Sequence, residues 1–257
     1  MVDQADIASD LTPAWFIKRA PALCNRNTGI GADGIILLDH QQSPVLMHVI
    51  NADGSLGYNC GNGLRCAIKY LHHKTSDQAF FLSLMGKTYQ GHISNDFVQV
   101  SLGTCTLERL EDIFLDSANT NACIARADIG NQHLIISTQK AIDVALVLKE
   151  ITSRFKTAPF NIGFVYPDAN GELQSVVFER GVGFTKSCGS GAAAAACFVT
   201  FLGENGHGDS LRMSQPGGLL NITLQEVHKT ETMGTYLVHQ SGKALPVYTG
   251  IFECHDS

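Results

Sequence analysis

Several things are scarce in this sequence. No apolar run approaches the roughly 20 residues a membrane-spanning helix needs. Positive charge is in deficit: 18 Lys and Arg stand against 24 Asp and Glu, a net charge of −6. That balance points away from nucleic acid and from anionic membrane surfaces. The first residues, Met1-Val-Asp-Gln-Ala-Asp6, have neither the basic cluster nor the apolar core of a secretory signal, so a cytoplasmic setting is expected. The eight cysteines include no Cys-x-x-Cys pair, and the close spacings, 60 with 66 and 188 with 197, are not those of zinc sites. No metal is expected, and free thiols are expected rather than disulfides. There is no low-complexity segment and no short-period repeat. What remains is a 257-residue chain, 44% hydrophobic, with 25 Gly and 7 Pro. Its size suits two domains of roughly 100–150 residues each.

One pattern occurs twice. Asn59-Cys60-Gly61-Asn62-Gly63 is matched by Ser187-Cys188-Gly189-Ser190-Gly191, about half a chain later. Each is a cysteine, a Gly-x-Gly turn and an apolar helical run. Leu64, Ala67, Ile68 and Leu71 follow the first at i, i+3, i+4, i+7, one face of a helix. Ala192 to Phe201 follow the second, apolar almost all round, which marks a buried helix. Two such units imply two similar halves facing each other.

A cysteine just before a helix sits among unpaired backbone N–H groups at the positive end of the dipole. That setting favours the thiolate, and the same N–H groups bind a carboxylate. Two units across a cleft would put thiols on opposite sides of one substrate carbon. One thiolate removes a proton and the opposite thiol returns one to the other face, which is stereoinversion without a cofactor. The competing reading is that each cysteine is a small buried hydrophobe; the repetition weighs against it. Gly61, Asn62, Gly189 and Ser190 stand where N–H groups would hold an α-carboxylate, although Asn62 and Ser190 also suit simple N-capping. Glu179 suits an ammonium and Arg180 a carboxylate; the competing reading is a surface ion pair. The glycine loop over 29–34 lacks the Lys-Ser/Thr of a phosphate cradle and reads as a tight turn.

Along the chain, a helix is expected over 10–24, with Thr12 as cap and Pro13 in the first turn. Strands are expected over 35–38, 45–50, 80–84, 88–93 and 97–102. Residues 103–128 are ambiguous, a stretch in which the crossing between halves could fall. Beyond them come a strand over 134–137, a helix over 141–155, and strands over 162–165 and 174–178 joined by an Asn170-Gly171 turn. Strands over 219–224 and 236–239 follow, then an apolar tail over 245–252.

The motifs together resemble those of the diaminopimelate epimerase family. Asn51-Ala-Asp-Gly-Ser55 with Cys60-Gly-Asn-Gly-Leu-Arg-Cys66 is similar to its first signature, and Glu179-Arg-Gly-Val-Gly-Phe-Thr185 with Cys188-Gly-Ser-Gly-Ala192 to its second. Asn27 to Gly34, Gly130 to His133, Asn161 to Val165 and Pro216 to Gly218 fall in the family's order. The resemblance implies an α+β fold of two pseudo-symmetric domains, each a mostly antiparallel curved sheet or barrel around a central helix. It implies residues 1–102 with 243–257 as one domain and 103–242 as the other, the active site lying in the cleft between them and the tail returning to the first domain. It implies Cys60 and Cys188 as catalytic thiols that interconvert L,L- and meso-diaminopimelate for lysine and peptidoglycan precursor synthesis. Asn51, Asn131, Asn161, Glu179 and Arg180 would contact substrate, and His133 would polarise the first thiol. No cofactor and a homodimer are expected.

Two departures stand out. Asn131-Gln132-His133 replaces the family's Asn-Pro-His. The family's opening strand and its Gly-Asn-Asp-Phe motif have no counterpart here, so an unpaired sheet edge and the loss of one substrate-binding Asn are expected. Alternatives remain: a racemase of another amino acid, a non-catalytic homologue that binds an amino acid or partner protein, or a thiol redox protein with a Cys60–Cys188 disulfide. Proline-type racemases carry His where this chain has Asn62, and phenazine-synthesis isomerases lack the cysteine pair.

Overall fold

Period-two alternation of apolar residues builds most of this chain, and two helices fill what the strands enclose. The computed structural model describes residues 1–57, 60–157, 159–203 and 210–252. The first half holds β1 (Val2–Asp3), α1 (Pro13–Leu23), β2 (Gly34–Asp39), β3 (Val45–Asn51), α2 (Gly61–Thr75), β4 (Ala79–Leu84) and β5 (Lys87–Ser94). Then come β6 (Phe97–Leu115), β7 (Thr120–Asp128), β8 (Gln132–Thr138), α3 (Val144–Arg154), β9 (Asn161–Pro167), β10 (Leu173–Glu179), β11 (Gly183–Thr185) and α4 (Gly189–Leu202). β12 (Ser210–Gln215), β13 (Gly218–Lys229) and β14 (Met233–Lys243) complete the sheet. This is an α+β fold rich in strands. Among the described residues, no helix is long and apolar enough to cross a membrane.

The second half closes on itself. β6 pairs with β7, and the ladder continues through β8, β9, β10, β12, β13 and β14 back to β6. Eight strands thus form a barrel, and closure removes free edges. α4 runs through its middle, with Ala192 to Val199 buried on every side. Small side chains let the surrounding strands approach that helix closely, which explains the alanine run. The first half is an open curved sheet, β1 to β6, against one face of α2. The buried face of α2 carries Leu64, Ala67, Ile68 and Leu71, the stripe the sequence spacing defines. The faces of both helices join one continuous apolar core.

Residues 103–128, ambiguous in the sequence, are two long strands. β6 serves both halves: its first part pairs with β5 and its last part with β7, while β14 lines its other edge from Phe97 to Glu108. Val98, Val100 and Leu102 are buried, then Cys105 and Leu107. The buried parity therefore changes by one residue, at Gly103. There φ is +87°, and the register with β14 slips between Val238 and His239. This bulge turns the strand's inner face from one helix to the other.

The termini depart from the expected pattern in different ways. β1 lies parallel to Leu37 and Leu38 of β2. Among the described residues, that edge of β2 has no strand partner at Gly34 to Ile36. Asp3 fixes the segment: its buried carboxylate accepts bonds from Lys74 Nζ at 2.7 Å, Tyr70 Oη at 3.1 Å and the Ala5 N–H at 3.1 Å, with His40 Nδ1 at 2.9 Å. The tail was expected to return to the first half. Its residues 244–252 instead form no strand, and Val247 and Ile251 are 91% and 97% exposed. Pro246 contributes no ladder donor, and both edges of β14 are already taken by β6 and β13. Residues 253–257 lie outside the described residues.

Candidate active site

Each repeated cysteine is the N-cap of its helix, Cys60 for α2 and Cys188 for α4. The Cys60 side chain caps α2, whereas Cys188 holds the N-cap position of α4 without a side-chain cap bond, and the side chains of Asn62 and Ser190 bond elsewhere. The Gly63 N–H donates to Cys60 Sγ at 3.2 Å. Cys188 Sγ lies 3.6 Å from Ser190 Oγ. The Leu64 and Ala192 N–H groups close the first helical turns onto the Cys60 and Cys188 carbonyls. Among the described residues, no protein acceptor takes the N–H of Gly61, Asn62, Gly189 or Ser190. Two sets of helix-start donors are thus open for an anion. Asn59 lies outside the described residues.

The two loops meet. Asn62 Nδ2 lies 3.4 Å from both the carbonyl oxygen and Oγ of Ser187. Gln215, at the end of β12, accepts from the Cys188 N–H at 3.1 Å and donates to the Cys188 carbonyl at 3.2 Å, and its Oε1 also accepts from Ser187 Oγ. Gln240, on β14, is buried between the first residues of both helices. A methyl group on Gly61 would overlap its Oε1, and one on Gly189 would stand 2.7 Å from its Nε2. Those two positions therefore require glycine for close approach. Arg65, one turn into α2, donates to Gln240 Oε1 at 2.6 Å and to Asn62 Oδ1 at 2.9 Å.

Other candidates gather round the second loop. Asn131 Nδ2 donates to Ser190 Oγ at 3.1 Å. His133 Nε2 lies 3.2 Å from that oxygen and 3.3 Å from Asn131 Oδ1. His133 was expected beside the first thiol; its contacts are with the second loop, because β8 is a strand of the barrel around α4. Burial lowers its pKa to about 4, so the ring is neutral at ordinary pH. Glu179 and Arg180 open the turn between β10 and β11. Glu179 Oε1 accepts from Thr185 Oγ1 at 2.5 Å, and the Arg180 N–H donates to Asn161 Oδ1 at 3.0 Å. Among the described residues, no carboxylate pairs with the exposed Arg180 guanidinium, so the surface ion pair weighed from sequence is absent there. Asn51 stands apart from this group, at the end of β3, where it bonds Ser55 Oγ at 2.9 Å within the Asn-Ala-Asp-Gly turn.

Burial pushes both thiols up, Cys188 to about 12. The Glu179 carboxylate pushes both in the same direction. The Gly63 N–H and Arg65 act oppositely on Cys60, as Ser190 and the Gly191 N–H do on Cys188. A cation placed at Glu179 would relieve the carboxylate's push on both thiols at once. Among the described residues, no three His, Cys, Asp or Glu side chains converge as a metal site. The sequence reading missed Arg65, Thr185, Gln215 and Gln240. Arg65 and Thr185 lay within its motifs without a role; Gln215 and Gln240 carry no local signal.

The family described as diaminopimelate epimerase matches residues 1–107 and 126–238. The diaminopimelate epimerase of Geobacillus sp. (strain WCH70) is 31% identical over 258 residues, spanning 91% of this chain and 87% of that protein. That of Bacillus subtilis (strain 168) is 33% identical over 223 residues, 77% of this chain and 78% of that protein. Among solved structures, a PhzF-family phenazine biosynthesis protein of Bacillus anthracis has a TM-score of 0.65 at 11% identity, covering 94% of this chain and 89% of that one. A hydroxyproline epimerase of Agrobacterium vitis with bound trans-4-hydroxy-L-proline has 0.61 at 14% identity, covering 88% and 77%. These two show the fold alone.

Proposed function

Because the chain belongs to the diaminopimelate epimerase family of isomerases, we propose that it inverts one centre of L,L-diaminopimelate to give the meso form, with Cys60 and Cys188 as the proton-exchanging pair. One observation carries this reading. Two cysteines hold the N-cap positions of two helices whose glycine starts close on the same buried carboxamide, Gln240.

The substrate's α-carboxylate docks on the open N–H groups of Gly61, Asn62, Gly189 and Ser190. These donors also stabilise the charge that grows on the carboxylate as the α-proton leaves. The α-ammonium docks on Glu179. That contact offsets the carboxylate's share of the upward push on both thiols, while the larger share, from burial, remains. One cysteine takes the α-proton; the other, on the opposite face, delivers one. Asn131 and His133 hold Ser190 against Cys188. Arg180, with its fork unclaimed, takes the substrate's distal carboxylate, and Asn161 fixes the turn that presents it. Asn51 shapes the far wall through the turn it closes. The halves, residues 1–102 and 103–242, each bring one thiol to the cleft. The reaction needs no cofactor, and we place the enzyme in the cytoplasm as a homodimer.

Deuterium uptake at Cα of diaminopimelate in D₂O, followed by mass spectrometry with chiral separation, tests the reading. The parent protein should exchange and invert. Cys60→Ala and Cys188→Ala should each lower inversion by at least about a thousandfold, the scale on which a positioned acid or base acts. Normal inversion by either variant overturns the two-thiol mechanism. Binding of diaminopimelate with no deuterium uptake by the parent would identify a non-catalytic homologue instead.

A further inference from the structure

Arg65 is a buried cation without a counter-charge. It is 6% exposed, and among the described residues no carboxylate pairs with it. Its partners are neutral carboxamides, Gln240 at 2.6 Å and Asn62 at 2.9 Å, and its Nε has no partner. Burying an unpaired guanidinium is costly, and an apolar side chain of the same length would pack there more cheaply. The charge and the planar fork must therefore serve something besides packing.

The bonds show what is served. Gln240 wedges between Gly61 and Gly189, and Arg65 orients its amide by holding the oxygen. Arg65 also holds Asn62, whose amide group faces Ser187 on the opposite loop. Ser187 bonds Gln215, and Gln215 clamps the peptide of Cys188. A continuous path thus runs from β14 through Arg65 to the second cysteine, crossing from one helix start to the other. We propose that Arg65 and Gln240 are positioning residues, a strut that sets the spacing of the two cysteine loops and so the separation of the thiols. This deepens the two-thiol reading above and rests on it.

The charge adds a distinguishing mark. Arg65 is among the groups that act on Cys60, lowering its thiol against the burial that raises it. Removing the cation should therefore push the Cys60 thiol further up, an effect that the loss of mere packing would not have.

The experiment compares Arg65→Met, Arg65→Lys and Gln240→Leu with the parent. Iodoacetamide labelling of Cys60 and Cys188 is followed by peptide mass spectrometry from pH 6 to 10, alongside diaminopimelate kinetics. For Arg65→Met, alkylation of Cys60 at pH 7 should slow roughly three- to tenfold, with its midpoint moved to higher pH. Arg65→Lys should keep the Cys60 midpoint yet lose kcat about ten- to a hundredfold, because the charge remains and the fork does not. Gln240→Leu should lose kcat similarly, with KM changed less. Labelling midpoints within error of the parent in Arg65→Met overturn the electrostatic part. Full kcat in both Arg65→Lys and Gln240→Leu overturns the strut. The labelling profile needs no turnover, so it reads the charge even if diaminopimelate proves not to be the substrate. Should Arg65→Met fail to fold, Arg65→Lys and Gln240→Leu still decide the strut.

Discussion

His133 carries a titration into the core. Fully buried, its ring has a pKa of about 4 in the fold against 6.5 for the free side chain. Between those values the unfolded chain binds a proton that the folded chain refuses. Stability from this group is therefore whole above about pH 6.5 and is lost as pH falls towards 4, by up to about 3 kcal/mol. Urea midpoints at pH 7 and pH 4.5 should differ by less in His133→Asn than in the parent. Equal differences would show that His133 does not drive the acid loss. Asp3 titrates separately. Burial alone would raise it, but Lys74, the Ala5 N–H, His40 and Tyr70 together lower it, so its contribution fades only below the ordinary carboxylate range. At this scale the thiols and glycines were readable, because a capping cysteine and its Gly-x-Gly turn lie within five residues. Gln240 and Gln215 were not, since a lone glutamine in a strand gives no sign of which peptide it will meet across the fold. His133 was assigned to the wrong thiol for a similar reason: only strand pairing decides which loop it faces.

The bulge in β6 is where the sequence pattern failed most instructively. Alternation over 97–102 is clear, and the next apolar residues, Cys105 and Leu107, fall out of phase with it. A strict period of two ends the strand there; the structure keeps the strand and shifts its phase at Gly103. A methyl group at Gly103 would meet nothing within 4 Å, so the only objection to a side chain is the backbone conformation. Gly103→Ala should therefore destabilise the protein by about 1–2 kcal/mol through φ strain alone. Denaturant unfolding checks this, and an unchanged midpoint would mean the bulge tolerates a left-handed alanine. The helices were easier to read. α4 is apolar all round because the barrel surrounds it, whereas α2 is apolar on one stripe because its sheet covers one side.

The halves are alike in plan and unequal in closure. Among the described residues the barrel around α4 closes without a free edge, whereas the sheet beside α2 has an incomplete one at β2, where the Asp3 carboxylate holds the first strand. Local opening should start in the half with fewer shared ladders. Amide hydrogen exchange should therefore be faster in α2 than in α4, and Asp3→Ala should widen the difference. Equal protection of both helices would show that the common core makes them open together.

Gln240 has a consequence of another kind. Leu64 and Ala192 are counterparts, as are Cys60 and Cys188, so a change in one copy leaves its twin to compare against. A residue wedged between the two helix starts belongs to both copies and has no twin. An inverting enzyme must treat two mirror-related forms of one centre almost alike, yet a protein cannot build its own mirror image. It can offer the same motif twice, turned to face itself, and whatever stands at the meeting point is then felt by both enantiomeric faces at once. Substitution there should lower the forward and reverse kcat in step, whereas a change at either cysteine loop can split the two kcat values, although the equilibrium constant holds the ratio of the two kcat/KM values fixed in every variant.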